Sequence, residues 1–287
     1  MALTVAWDQA AIGYDTYFVP RFEPWLRDAC ARLAVPLPPG GLVIPCCGTG
    51  PELVSLHQLH PEREILGVDL SSGMLQLAYQ RTRHLPLIRT QTGDATDTDG
   101  WPPCAGVLSL FGLQQMQDPP LALRRWVEAL VPGGLLSVMF WPSEVEDEGP
   151  FSWFRQAIAR RLSLPVPTWE AALPEQIEAA GAELLLDAAV AHPMEHESAL
   201  SFFEAMLTSG PGRSLVLAHG DAWIDELRSD FVAHAPAGPL AHRPRARHLV
   251  ARRGALYFRI NGPFGRCISV AVVDVAVAGA AVVVLGA

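Results

Sequence analysis

Five short apolar runs recur through the first half of this 287-residue chain, and most close on a glycine or an acid before a stretch with helical spacing begins. Leu42 to Cys47 is followed by Gly48-Thr49-Gly50-Pro51-Glu52 and the helix pattern LVSLHQLH. ILGV stops at Asp69, after which Ser71 and Ser72 are placed to cap a helix over roughly GMLQLAYQRTR. A third run around LIRTQTG stops at Asp94, and a fourth, GVLSLF, follows the turn from Trp101 to Cys104. A helix from about Leu121 to Leu130 leads through Pro132-Gly133-Gly134 into LLSVMFW. Strands that alternate with helices pair in parallel, because a parallel connection needs a crossover long enough to hold a helix. The pattern predicts an α/β chain with a parallel sheet and helices on both faces.

The flanks differ from this repeat. Residues 1–38 read as helical and aromatic-rich, ending in PLPPG. After Trp141 come the acidic turn SEVEDEG, the amphipathic FSWFRQAIARRL and a helix around PEQIEAA. The strand-like ELLLDAAVAH follows, then a helical stretch from about Ser198 to His234, and HLVARR reads as the last strand. The remainder, 254–287, is an Ala/Val-rich tail in which Cys267 to Ala287 is apolar except for Asp274. Such a run is long enough for a bilayer, but an acid near its middle costs on the order of 3 kcal/mol and valine favours strands. A strand-forming or poorly ordered tail is the preferred expectation, with a membrane role disfavoured.

Several classes of function are excluded by composition. All 21 basic residues are arginines, so lysine Schiff bases and a lysine-bearing phosphate loop are impossible. The net charge is −9 and unevenly spread: up to residue 240, fourteen arginines face 29 acids, whereas from 241 seven face one. So acidic a body repels a phosphate backbone, and no nucleic-acid partner is expected. The arginines from Arg243 to Arg253 read as a solvated linker and strand edge. Five cysteines without C-x-x-C spacing suggest neither a disulfide framework nor a structural metal. With no charged leader before an apolar core in MALTVAWDQAAIGYD, a cytoplasmic chain is expected.

Chemistry is expected at the strand ends, where open parallel sheets bind ligands. Gly48 and Gly50 allow a sharp turn and close approach. Asp69, 21 residues beyond Gly48, is placed to accept both hydroxyls of a ribose, and Asp94 with Ala95 to meet an adenine edge. The alternative is an ordinary strand-to-helix turn with surface acids. The third glycine of a dinucleotide fingerprint is replaced by Pro51-Glu52-Leu53, which favours a ligand without phosphates, such as S-adenosylmethionine, over a nicotinamide dinucleotide.

The ordered set PCCGTG, ILGVDLSSGML, TGDATD, SLFGLQQMQDP and LVPGGLLSVMFW resembles the class I S-adenosylmethionine-dependent methyltransferases, in particular the small-molecule branch similar to ubiquinone and menaquinone biosynthesis methyltransferases. The resemblance implies a doubly wound, mostly parallel seven-stranded sheet of Rossmann-like type, with a helical insertion before the last strand. It divides residues 1–253 into an N-terminal helical lid (1–38), a cofactor-binding core (39–142) and substrate-side helices with the last strands (143–253). Gly48, Thr49 and Gly50 would hold the methionine and ribose part, Asp69 the ribose, and Asp94 and Ala95 the adenine. Leu70 and Met74 would pack near the ring, Phe111 would face the cofactor, and Tyr14 would close over it. The family's usual acid is absent, since Ile44 stands in its place; backbone carbonyls or Glu52 are candidates to replace it.

The acceptor side is expected around Gln114, Gln115, Met116, Phe140 and Trp141, with Trp153, Phe154, Phe18 and Phe22 as an apolar cover, which suits a small, partly aromatic or lipophilic acceptor. His196, beside Glu195, is a candidate to meet it; His192, His57 and His60 are weaker ones. No metal is expected, because Cys46 and Cys47, adjacent in a strand, point to opposite faces. A homodimer is compatible with the sequence. Two rival readings stand: a cofactor-binding or regulatory module without catalysis, and a nicotinamide-dependent oxidoreductase.

Overall fold

The computed structural model describes residues 2–163 and 167–254, together with the backbone of 257–261, 267–272 and 283–285. A long helix, α1 (Ala2–Ala31), precedes the alternating region: β1 (Gly41–Pro45), α2 (Pro51–Leu59), β2 (Ile65–Asp69), α3 (Ser72–Thr82), β3 (Ile88–Thr92), β4 (Cys104–Leu110), α4 (Pro119–Glu128) and β5 (Leu130–Phe140). The second half contributes α5 (Pro150–Ala159), α6 (Leu173–Ala179), β6 (Ala182–Ala191), β7 (Met194–His196), α7 (Ala199–Met206), α8 (Gly210–His219), α9 (Asp221–His234), β8 (Leu240–His242) and β9 (Arg245–Arg253).

Seven strands form one sheet in the order β3-β2-β1-β4-β5-β9-β6. The first five are parallel, and β9 runs antiparallel between β5 and β6. The sheet is therefore α/β, doubly wound and mostly parallel, as expected. Strand order reverses between β1 and β4, which opens a crevice at their carboxyl ends. The helical stretch before the last strand divides into three helices, because Ser198 and Ser209 cap new starts and Gly220, at φ 77°, breaks the chain between α8 and α9.

Alternation along β1 splits the core into two layers. Leu42 and Ile44 face Phe18 and Trp25 of α1, Leu33 just beyond its end, and Leu53 and Leu56 of α2, while Val43 faces Leu123 and Trp126 of α4. A third cluster forms where Phe154 of α5 meets Phe202 and Phe203 of α7 and Phe231 of α9. Trp153 packs against that cluster, so both aromatics expected to cover an acceptor serve a separate helical core instead. The short connections carry visible signals: Ser71 accepts from the Met74 amide at the start of α3, and Asp118 does the same for Leu121 ahead of Pro119 at the start of α4.

In the tail, Tyr257–Asn261 pairs antiparallel with Cys267–Val272, which pairs with Val283–Leu285. Arg266 and Asp274 lie outside the described residues. No helix among the described residues is long and apolar enough to cross a membrane.

One buried polar contact ties α1 to the centre of the sheet. Ser137 Oγ, on β5, donates to the Ala29 carbonyl at 3.0 Å and lies 2.9 Å from His248 Nε2 on β9. The hydroxyl has a single proton, so His248 must donate through Nε2, and its buried Nδ1 has no partner. Burial pushes the His248 imidazole down to about 4. Ser137→Ala is expected to lower the unfolding free energy by about 1–3 kcal/mol at pH 7 in denaturant titrations, since it strands the His248 donor. Because the folded ring refuses a proton that the unfolded chain accepts below about 6.5, stability is lost as pH falls towards 4. The deficit of wild type against His248→Leu is expected to grow by roughly 3 kcal/mol across that window; a constant difference would contradict the assignment.

Candidate functional site

Above the carboxyl ends of β1, β2 and β4, and roofed by α1, lies a cavity of about 880 Å³. Its floor is built by the turns that end the strands. After β1 the chain must reverse steeply, and Gly48 and Gly50 do so at φ 52° and 76°. A Cβ on Gly48 would meet no protein atom within 4 Å, so that backbone faces open cavity, whereas a Cβ on Gly50 would sit 2.8 Å from Leu53 Cδ1. Gly50 thus serves packing of the turn and is not itself on the cavity wall.

Asp69, at the end of β2, joins two turns. Its Oδ2 accepts from the Gly48 amide and its Oδ1 from the Ser71 amide, both at 2.9 Å. Burial raises this carboxyl above its ordinary value, and the Ser71 and Gly48 amides work against that rise. Each oxygen keeps a second lone-pair direction, so a ligand hydroxyl has an acceptor already held in place. Asp94, after β3, is fixed by Thr96, whose amide and hydroxyl donate to Oδ1 at 2.8 and 2.7 Å. Next to it, the Ala95 carbonyl accepts from Trp126 Nε1 at 2.7 Å, which anchors this turn to α4.

The end of β4 is strained. Phe111 adopts φ 57°, costly for a bulky residue. The strain is held by its neighbours: the Phe111 amide donates to the Met139 carbonyl and its own carbonyl accepts from Gln114 Nε2, both at 2.7 Å. Cys46 is the second non-glycine residue at positive φ, 55°, and a Cβ on Gly112 would fall 2.4 Å from Cys46 Cβ. The β1 and β4 turns therefore interlock. Burial and the nearby Asp69 and Asp94 charges push the Cys46 thiol far above its ordinary value, so it stays protonated.

Helix α1 closes the other side with Trp7, Tyr14 and Phe22. Tyr14 packs edge-on to Trp7 at 5.2 Å and against Phe18 and Phe22. Burial, with Glu52 and Asp69 adding negative charge, raises its phenol well above the ordinary value. The helix is fastened over the crevice by Asp8, whose Oδ1 accepts from Ser71 Oγ at 2.7 Å and from the Gly73 amide at 2.8 Å. Burial alone would raise that carboxyl, but the Gly73 amide and Ser71 hydroxyl hold it below the usual range. Arg81 of α3 adds a second tie, to Asp15 at 2.8 Å and to Thr49 Oγ1 at 3.0 Å.

The geometry gathers Tyr14, Gly48, Thr49, Asp69, Leu70, Met74, Asp94, Ala95, Phe111 and Gln115 around this single cavity. Three residues expected on the acceptor side stand elsewhere. Gln114 turns inward to hold the Phe111 backbone, and Trp141 lies behind Phe111, stacked on it with centroids 4.3 Å apart. His196 is buried in a chain that runs from Tyr17 Oη to His196 Nδ1 (2.7 Å), from His196 Nε2 to His242 Nε2 (2.9 Å) and from His242 Nδ1 to Glu146 Oε2 (2.6 Å). Both ring nitrogens of each histidine are engaged, so neither offers one to an acceptor; burial also depresses His196 to about 3. The chain ties α1 to β7, β8 and the start of α5, a structural task. His192 pairs with Asp28 at 2.7 Å and His60 with the Leu33 carbonyl at 2.8 Å.

Sequence reasoning missed Trp7 and Trp169, both on the wall. Trp7 stands one heptad before Tyr14, and that spacing is the signal that places both on one helix face. Trp169 carries no comparable signal, since it reaches the cavity from a short helical turn far along the chain.

Residues 45–134 match the family described as a methyltransferase domain. Among curated proteins, the chain is 34% identical over 136 residues to 2-phytyl-1,4-naphtoquinone methyltransferase of Thermosynechococcus vestitus, covering 46% of this chain and 56% of that protein. It is 37% identical over 92 residues to trans-aconitate 2-methyltransferase of Deinococcus radiodurans, covering 32% and 34%. The matched segments thus span about half of the first relative and a third of the second. In fold, a crystal structure from Bacillus halodurans C-125, provisionally described as a methyltransferase, superposes with a TM-score of 0.54 at 14% identity over 80% of this chain and 98% of that one. Residues 45–134 thus match a methyltransferase domain, within a chain whose sheet has the α/β Rossmann-like fold of that structure.

Proposed function

We propose that this protein is an S-adenosylmethionine-dependent methyltransferase acting on a small, partly aromatic or lipophilic acceptor. The observation that carries the reading is Asp69: a half-buried carboxylate held by the Gly48 and Ser71 amides, beside a glycine whose missing Cβ leaves room at the same wall. That pair fits a ribose and the chain that extends from it. Pro51 at the start of α2 removes one of the amides a phosphate would use, and Asp69 and Glu52 would repel one, which disfavours a dinucleotide.

In this reading Asp69 receives the ribose hydroxyls, Asp94 and Ala95 meet the adenine edge with Leu70 and Met74 against its faces, and Gly48 and Thr49 border the amino-acid part. When bound, the cofactor supplies an electrophilic methyl on a sulfonium. The protein aligns an acceptor with it and excludes water, which is most of what an in-line displacement requires. Phe22, Phe111, Trp7 and Tyr14 make that part of the wall aromatic and dry. No histidine lies on the described wall, and the Cys46 thiol is held protonated, which favours an acceptor that brings its own nucleophile, such as a phenolate, a thiolate or an acidic carbon. The relatives named for naphthoquinone and demethylmenaquinone methylation support a flat aromatic acceptor.

Calorimetric titration with S-adenosylhomocysteine tests the cofactor assignment. Asp69→Ala is expected to weaken binding at least about 30-fold, the loss of hydrogen bonds to a charged group; unchanged affinity would refute it. Gly48→Ala is expected to leave a folded protein whose melting temperature falls by a few degrees, because φ is positive there. Its added methyl occupies ligand space, so affinity for the same compound should fall by roughly tenfold or more, on the order of one lost close contact with steric strain.

A further inference from the structure

Glu52 is the second residue of α2 and lies on the cavity wall although it is only 7% exposed. Its Oε2 is fully buried and has no hydrogen-bond partner in the protein. A carboxyl in that position is costly unless something pairs with it. The groups that face it offer no free cation. From α1 come the Tyr14 phenol and the Cys30 thiol, from the β1 turn the Cys47 thiol, and from β2 the Asp69 carboxylate. Among the described residues Arg81 of α3 is the guanidinium that acts on it, and that group is spent on Asp15 and on the hydroxyl and carbonyl of Thr49. At the position on β1 where an acid would otherwise face the turn stands Ile44, which is buried in the core.

We propose that Glu52 is a binding residue for a primary ammonium on the cavity's ligand, so that the α-amino group of an adenosyl amino acid is paired by α2 and not by β1. The inference rests on the adenosyl reading of the cavity given above. The partner is of a definite class: a cation small enough to enter beside Gly48 and Thr49 and carried by the same molecule that Asp69 holds. Desolvation pushes the Glu52 carboxyl up to about 7, with its own amide and Arg81 opposing the rise and Asp69 adding to it. In the ligand-free protein the acid is thus poised between forms near neutrality, and an arriving ammonium favours the ionised one.

Three consequences are measurable without turnover. At pH 7, binding of S-adenosylhomocysteine is expected to release about half a proton, read by calorimetry in buffers of different ionisation enthalpy. Affinity is expected to rise about tenfold from pH 6 to pH 8 as Glu52 ionises. Glu52→Gln is expected to abolish both effects, weaken S-adenosylhomocysteine at least tenfold, and raise the melting temperature of the ligand-free protein at pH 8, where an unpaired buried charge is removed. The control is 5′-methylthioadenosine, which keeps the nucleoside and lacks the amino acid; its affinity should be the same in wild type and Glu52→Gln. Equal S-adenosylhomocysteine affinity in both proteins would overturn the ammonium assignment and leave the adenosyl reading intact. Equal weakening of both ligands would also overturn it, since Glu52 would then act through the fold. Failure of wild type to bind either compound would overturn the adenosyl reading itself, and this inference with it.

Discussion

The Asp69 carboxylate holds the site together. Its two oxygens take the first free amide of the turn after β1 and the amide that precedes α3, so one side chain joins the ends of two parallel strands. Without it, the Gly48 amide would face the cavity unpaired, and the left-handed turn would lose the bond that sets its orientation. The carboxylate is half-buried, and the desolvation that raises its pKa is the same condition that strengthens any hydrogen bond it makes to a ligand. The cost and the use of this residue have one physical origin.

Around that centre, strain and charge are both concentrated. Cys46 and Phe111 are the described non-glycine residues at positive φ, and they lie on facing turns at the crevice between β1 and β4. Gly112 fits between them only because it lacks a side chain. Such conformations persist when neighbouring contacts over-determine them, and here the Gln114 side chain and the Met139 carbonyl do so. The acids Glu52 and Asp69 lie near the same turn with no lysine anywhere in the chain to neutralise them. A cavity so arranged favours a ligand that carries its own positive charge.

Helix α1 roofs the crevice and makes it a partly enclosed cavity. It covers the crevice, but it is also core: Phe18 and Trp25 are buried against the sheet, and Ser137 reaches the Ala29 carbonyl from β5. Asp8 and Asp15 fasten the amino-terminal part over α3, while Tyr17 joins the buried histidine chain on the far side.

Much of this was legible in the residues. Apolar runs that end on Gly48, Asp69 and Asp94 determine a parallel sheet with its ligand groups on one edge, because period-two burial and crossover geometry leave few other arrangements. The residues proposed for the cofactor side are close to their strands in sequence, so a motif places them. The proposed acceptor side was less legible, for the opposite reason: Trp7, Trp169 and the wall after β4 come together only through packing of segments far apart in the chain. Local pattern could not say that Gln114 turns inward, that Trp141 stacks behind Phe111, or that His196 is consumed by His242 and Glu146. Those outcomes depend on which neighbours are brought against each side chain, and that is decided by the tertiary fold.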